Sequence, residues 1–285
     1  MSSLCIKTNN EEVLSYLQNE FSNFNMLNTF FSKRKFKHYK NIIIHYTGID
    51  KELFYTKLAT ILSYLVIDYF EPNIIKNILN ANYFYFENAE LNKILELCEE
   101  NLCEDDEFSF QNRQLALFDI FYEYISSNNT IILTGFINFR LADYRKILEE
   151  LVDFSVNEFI IEREYLEFIS LLRLYVNSQP SSNIEVHAIS FNDGIILLDE
   201  NMNQIPIDKK NLNAKYLSDV SFSNNDYILN TLLNLLPQKI HLHIVQPSCN
   251  LDFINTLQLV FEKKIKICHN CNICNLYKKL SIKNN

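Results

Sequence analysis

Glycine is almost missing from this chain: 3 residues in 285, at Gly48, Gly135 and Gly194, where average usage would supply about 20. Three isolated glycines cannot spell a G-x-G-x-x-G dinucleotide fingerprint or a Walker-type phosphate loop, so those nucleotide chemistries are excluded. Tryptophan is absent and proline is rare, with 5 residues. Positive charge is in deficit, 26 Lys+Arg against 35 Asp+Glu, and a net charge of -9 opposes general binding to nucleic acid or anionic lipid. No uncharged apolar run approaches the ~18 residues of a spanning helix, and the start MSSLCIKTNNEEVL has no basic segment leading an apolar one. No membrane span is therefore expected, and a cytoplasmic setting is. There the seven cysteines should be thiols, metal ligands or redox groups rather than disulfides.

What remains is ordinary globular material. A 48% hydrophobic and 21% charged chain of this length can bury a sizeable core in one or two domains. LCIKT at 4–8 and NIIIHYTG at 41–48 read as strands around a helix at 11–21, a small α/β unit over 1–48. From Asp50 apolar residues recur at spacings of three and four until Pro72, and further helices are predicted at about 73–80, 88–102, 109–126 and 138–176. This makes 49–178 a helical region. Ser178 to Asn183, with Pro180, is the best boundary before a C-terminal α/β domain over 183–285. In that domain IEVHAISF and GIILLDE flank Asn192-Asp193-Gly194 as a hairpin. Helices at about 225–236 and 251–262 then alternate with strands at 239–245 and 264–268, which should lie parallel. The expected fold class is mixed α+β: a small N-terminal α/β unit, a helical middle, and a C-terminal β-hairpin with a βαβ sheet.

The sharpest chemical signal is Cys268-x2-Cys271-x2-Cys274. Three thiols so spaced can surround one Zn²⁺ or supply three ligands to an iron-sulfur cluster. Cys249 is the candidate fourth ligand, because it follows one strand as Cys268 ends its parallel neighbour, at the carboxyl edge where open sheets place ligands. His269 or His243 are the substitutes. The competing readings are a redox dithiol, or a stripe of reduced thiols packed along a terminal helix. His241 and His243 share one strand face, a discipline that extends to His187, but no carboxylate is evident beside them. Cys98 and Cys103 share no helix face and receive no role.

KRKFKHYK at 33–40 carries Lys33, Arg34, Lys35, Lys37 and Lys40 among aromatics, a pattern that could hold a nucleic-acid backbone. A lysine-guarded edge strand accounts for it equally and suits the acidic remainder better, which disfavours nucleic acid as a partner. Glu99, Glu100 and Glu104 to Glu107 read as a solvated acidic run. Asp193, Asp199, Glu200 and Asp208 lie near strand ends but lack the accompanying lysine of a Mg²⁺ nuclease. No complete catalytic constellation can be assembled, and no catalytic residue is nominated.

The segment 136–176 begins FINFRLADY at 136–144 and continues NEFIIEREYLEFISLLRLYV at 157–176, with an E-x2-Y-x2-F-x3-L run, before the hairpin at 184–200. On these phrases, about a quarter of the chain, the sequence resembles the YtxC-like family of sporulation proteins from endospore-forming Gram-positive bacteria. The resemblance implies a cytoplasmic, sporulation-associated protein without an established enzymatic activity. It carries over no catalytic residue. Partner binding is the expected mode of action, and Arg140 and Tyr144, which match the family phrase, are the candidate partner-binding residues.

Overall fold

Alternation makes the opening segment a strand: Ser2, Leu4, Ile6 and Thr8 are buried while Ser3, Cys5 and Lys7 face the other way in β1 (Ser2–Thr8). The computed structural model describes residues 2–35, 39–103, 108–191, 194–207, 223–245 and 251–283. The Asn10 side chain accepts from the backbone N–H of Glu12 (2.9 Å) and Val13 (3.3 Å) and so starts α1 (Glu11–Ser22). β2 (Thr29–Lys35) pairs antiparallel with β3 (Lys40–Tyr46), and β3 pairs antiparallel with β1. β1 and β2 are thus parallel with β3 between them, a split βαβ unit. A three-residue strand that the periodicity does not reveal, β4 (Thr130–Ile132), adds in parallel to β1 and completes the order β2-β3-β1-β4.

Gly48 has a steric reason. A Cβ there would stand 2.2 Å from the Tyr46 hydroxyl oxygen, which accepts from the Asp50 backbone N–H at 3.1 Å. Asp50 in turn caps α2 (Lys51–Leu65) by accepting from the Leu53 N–H. The sequence predicts a stop at Pro72, but the helix does not stop. A π-helical turn at Val66–Phe70 leads into α3 (Glu71–Asn82), where Pro72 occupies the first turn and its missing N–H interrupts nothing. Among the described residues, Lys51–Asn82 is one helical run long and apolar enough to cross a membrane. Phe54, Leu58, Leu62 and Leu65 on it nevertheless belong to a protein core. α4 (Asn88–Cys103), α5 (Phe110–Ser127), α6 (Leu133–Arg140) and α7 (Ala142–Ser178) follow, with α5 packed along α2.

Buried inside this helical layer is an ion pair invisible to hydrophobic patterning. Arg113 on α5 pairs with one oxygen of Glu71 at the head of α3, and the Tyr144 hydroxyl on α7 donates to the other. All three side chains are buried, and Arg113 also donates to the Phe108 carbonyl (2.8 Å) and the Leu102 carbonyl (3.4 Å). Burial first, then the neighbouring Glu71 carboxylate, pushes the Tyr144 hydroxyl well above its ordinary range and keeps it a donor.

The chain divides into two compact units, residues 1–161 and 162–285, the division falling within α7. In the second unit β5 (Glu185–Phe191) and β6 (Gly194–Leu198) form the expected hairpin. α8 (Asn224–Leu235) starts with a capping box between Ser223 and Asp226 and leads to β7 (Lys239–Ile244), parallel to β5. α9 (Leu251–Phe261) leads to β8 (Ile265–Cys268), parallel to β7, and α10 (Asn272–Lys283) closes the series. The sheet order is β6-β5-β7-β8. On one face Val186, Ala188, Ile195, Leu197, Ile240 and Leu242 join Ile169 and Val176 of α7 and the apolar sides of α8 and α9 in the core. The opposite face has a small cluster, Ile189, Leu198 and Val245, against which Ile273 and Tyr277 of α10 pack. Two four-stranded mixed sheets with helices make the protein α+β, as its sequence pattern predicts.

The buried ion pair sets a ranking of mutational costs. Tyr144→Phe leaves one carboxylate oxygen of Glu71 without its donor and should cost about 1–3 kcal/mol. Arg113→Met leaves the carboxylate uncompensated and should cost about 3–5 kcal/mol. Urea denaturation of the two variants measures both, and equal costs would contradict the arrangement.

Candidate metal centre

Three features of local structure bring the site together. β7 and β8 pair in parallel with His243 opposite Cys268, at the carboxyl ends of both strands. Period-two alternation puts Ile240 and Leu242 into the core and therefore His241 and His243 on the other face. The chain then turns after Cys268, so that Cys271 precedes the first residue of α10 and Cys274 lies in its first turn. The His243 Nδ1 atom is 3.4 Å from the sulfurs of both Cys271 and Cys274. The Cys274 sulfur is 3.6 Å from that of Cys271 and 3.8 Å from that of Cys268. All four donor atoms lie within 4.8 Å of one another, and this set could hold a metal ion.

The surroundings separate the thiols chemically. Burial acts against the Cys271 thiolate, yet hydrogen bonds from the Cys274 backbone N–H (3.4 Å), from Cys268 and Cys274, and from the Ile273 backbone outweigh it and lower its pKa. The N-terminus of α10 adds its favourable field. Cys274 is fully buried, and its thiol is pushed up to about 11 by burial and by the adjacent sulfurs. Burial, followed by the cationic forms of His187 and His241, holds His243 down at about 4, so the imidazole is neutral at pH 7. A neutral imidazole and a stabilised thiolate are the forms a soft divalent cation needs.

Behind His243 the other imidazoles form a ladder. His187 Nδ1 is 3.0 Å from His243 Nε2, and the His187 ring stacks with His241 at 5.0 Å between centroids. His241 Nε2 is 3.0 Å from Glu185 Oε2, and Lys239 Nζ is 2.6 Å from Glu185 Oε1. The sequence alone leads one to expect no carboxylate beside these histidines. Glu185 corrects that: it sits two residues before His187 on the same strand face, and the β5·β7 register delivers it to His241. Hydrogen bonds from Lys239 first and His241 second hold its carboxyl at about 2.

The model of the YtxC-like family matches residues 56–266. This chain belongs to the YtxC-like family. Uncharacterized protein YtxC of Bacillus subtilis (strain 168) is similar: 23% identical over 198 residues, 67% of this chain and 69% of that protein. No solved structure matches. The YtxC-like match takes in Glu185, His187, His241 and His243 and ends at residue 266, so the three cysteines lie beyond it.

The remaining sequence candidates of this YtxC-like chain are scattered. Cys249 and Lys37 lie outside the described residues, as do Asp193, Asp208 and the acidic residues 104–107. Cys268 ends a strand and Cys271 precedes α10, so the three thiols do not form a stripe along one helix. His269 follows Cys268 in the turn and is not in the donor set. Lys33, Arg34 and Lys35 are exposed on β2, an edge strand of the first sheet, and Lys40 pairs with Glu11. The Asp199 carboxylate is taken up by the backbone N–H groups of Asn201 and Asn203. Arg140 is exposed at the end of α6, whereas Tyr144 is 1% exposed and spent on Glu71, so it cannot present itself to a partner.

Glu185 makes a pH signature. A carboxyl held at about 2 stabilises the fold fully above its ordinary value of 4.5, and that contribution is lost as pH falls through about 2. In metal-free protein, Glu185→Gln should therefore lower the urea midpoint at pH 5 and match the wild type near pH 2. A gap that persists at pH 2 would contradict the depressed carboxyl.

Proposed function

We propose that this chain is a zinc-binding protein of sporulation, working in the reducing cytoplasm, whose metal is held by His243, Cys268, Cys271 and Cys274 and fastens α10 to the second sheet. The observation that carries the reading is the spacing of the donors. Zinc bonds of ~2.3 Å to sulfur and ~2.0–2.1 Å to nitrogen place tetrahedral ligands about 3.8 Å apart for sulfur pairs and about 3.6 Å for nitrogen and sulfur. The separations in the structure are 3.6 and 3.8 Å for sulfur pairs and 3.4 Å for nitrogen and sulfur. An iron-sulfur cluster would spread its thiolates over several irons, while donors all within 4.8 Å enclose room for one ion. Four protein ligands leave no open position, which favours a structural over a catalytic centre. Among the described residues, Ile273 and Tyr277 of α10 pack on the cluster of Ile189, Leu198 and Val245, with Tyr277 also against Phe191, and the metal would add to that attachment.

Anaerobically purified protein should carry about one zinc per chain, and Cys271→Ser and His243→Ala should lose it. Cobalt substitution should give intense sulfur-to-metal absorption with tetrahedral ligand-field bands. Less than about 0.2 metal per chain in the wild type would overturn the reading. Chelation should expose residues 269–283 to limited proteolysis while residues 184–245 stay protected; unchanged cleavage would remove the fastening role.

The sporulation setting is supported by membership in the YtxC-like family and by the resemblance that the FINFRLADY phrase carries. Deletion of the gene from its host should lower spore yield, and normal counts and timing would refute it. A protein partner is favoured by one feature besides: Phe168, Leu171, Leu174 and Tyr175 of α7 are exposed.

A further inference from the structure

A metal-bound imidazole uses one nitrogen on the metal and must donate its other N–H to an acceptor, which fixes the tautomer and the plane of the ring. His243 divides its nitrogens in that way. Nδ1 faces the sulfurs of Cys271 and Cys274, so coordination there leaves the proton on Nε2. His243 is 3% exposed, and its Nε2 has His187 Nδ1 at 3.0 Å. For the N–H to be accepted, His187 Nδ1 must offer a lone pair, which places the proton of neutral His187 on its own Nε2.

His187 is not free to swing away from this duty. Its ring stacks on His241 at 5.0 Å with a 19° interplanar angle, and on His243 at 5.3 Å with 21°. His241 is tied to Glu185, and Glu185 to Lys239. The β5·β7 register, with Glu185 opposite Lys239 and His187 opposite His241, holds the whole row on one sheet face.

We propose that His187 is a positioning residue for the metal: without touching the ion, it accepts the His243 Nε2–H and thereby sets the tautomer and orientation of that ligand. The row His241, Glu185 and Lys239 holds His187 in place. The proposal rests on the zinc reading above and adds a residue that cysteine spacing alone would never nominate.

Two substitutions of the full chain separate the role from packing. His187→Asn keeps an acceptor where Nδ1 stood, and His187→Leu fills similar space without one. Zinc affinity, measured by competition with a chromophoric chelator, should fall about 10–100-fold in His187→Leu and stay within about threefold of wild type in His187→Asn. Equal losses in both variants, or no loss in His187→Leu, would overturn the proposal while leaving the zinc reading intact. A wild type that takes no zinc would instead overturn the zinc reading itself. Should His187→Leu fail to fold, nitrogen NMR of the zinc-loaded wild type still decides. The expected spectrum has His187 protonated on Nε2 alone and His243 protonated on Nε2, and a proton on His187 Nδ1 would refute the assignment.

Discussion

One register governs the second unit: His243 opposite Cys268 in the parallel pair of β7 and β8. It is held by the face that carries no chemistry. Ile240 and Leu242 of β7 are fully buried among the residues of α8 and α9, and slipping β7 by one residue would turn these side chains out to solvent. The apolar face therefore fixes, with its own burial energy, the geometry of the polar face. The cysteines need only a short turn to reach the imidazole once the strands are aligned.

The two units handle internal polarity by opposite means. In the first, Glu71, Arg113 and Tyr144 are sealed among helices, each bonded to the others or to a carbonyl, so the group is costly to form and costlier to break. In the second, Glu185, Lys239 and His241 remain partly exposed, and burial increases along the row until His243 is enclosed. A graded row of this kind lets charge reside at the solvent end while the end nearest the thiols stays neutral. It accounts for a carboxyl held at about 2 and an imidazole held at about 4 on the same sheet face.

Much of this was legible in the chain, and the exceptions share a cause. The cysteine spacing and the parallel strands that set Cys268 beside His243 follow from local period and connection length. Glu185 escaped because its role depends on the β5·β7 register, and register is a long-range quantity. Tyr144 is a partner-binding candidate in the sequence because its actual partner, Glu71, lies 73 residues away on another helix. Pro72 was read as a stop because the local rule holds for a helix interior; the π turn at Val66–Phe70 resets the count and makes it a first-turn residue. The three residues of β4 show no alternation long enough to notice.

The shortage of glycine has a further effect on backbone geometry: Asn25, Asn28, Met202, Leu236 and Glu262 adopt positive φ themselves. The order of the four donor side chains along the chain has a kinetic one. His243 leaves the ribosome 31 residues ahead of Cys274, so β5, β7 and the histidine row are translated well before the last of the four side chains. Until Cys274 has emerged, β8 is an edge strand with nothing anchored behind its turn, and the gathering of the four side chains waits for the start of α10.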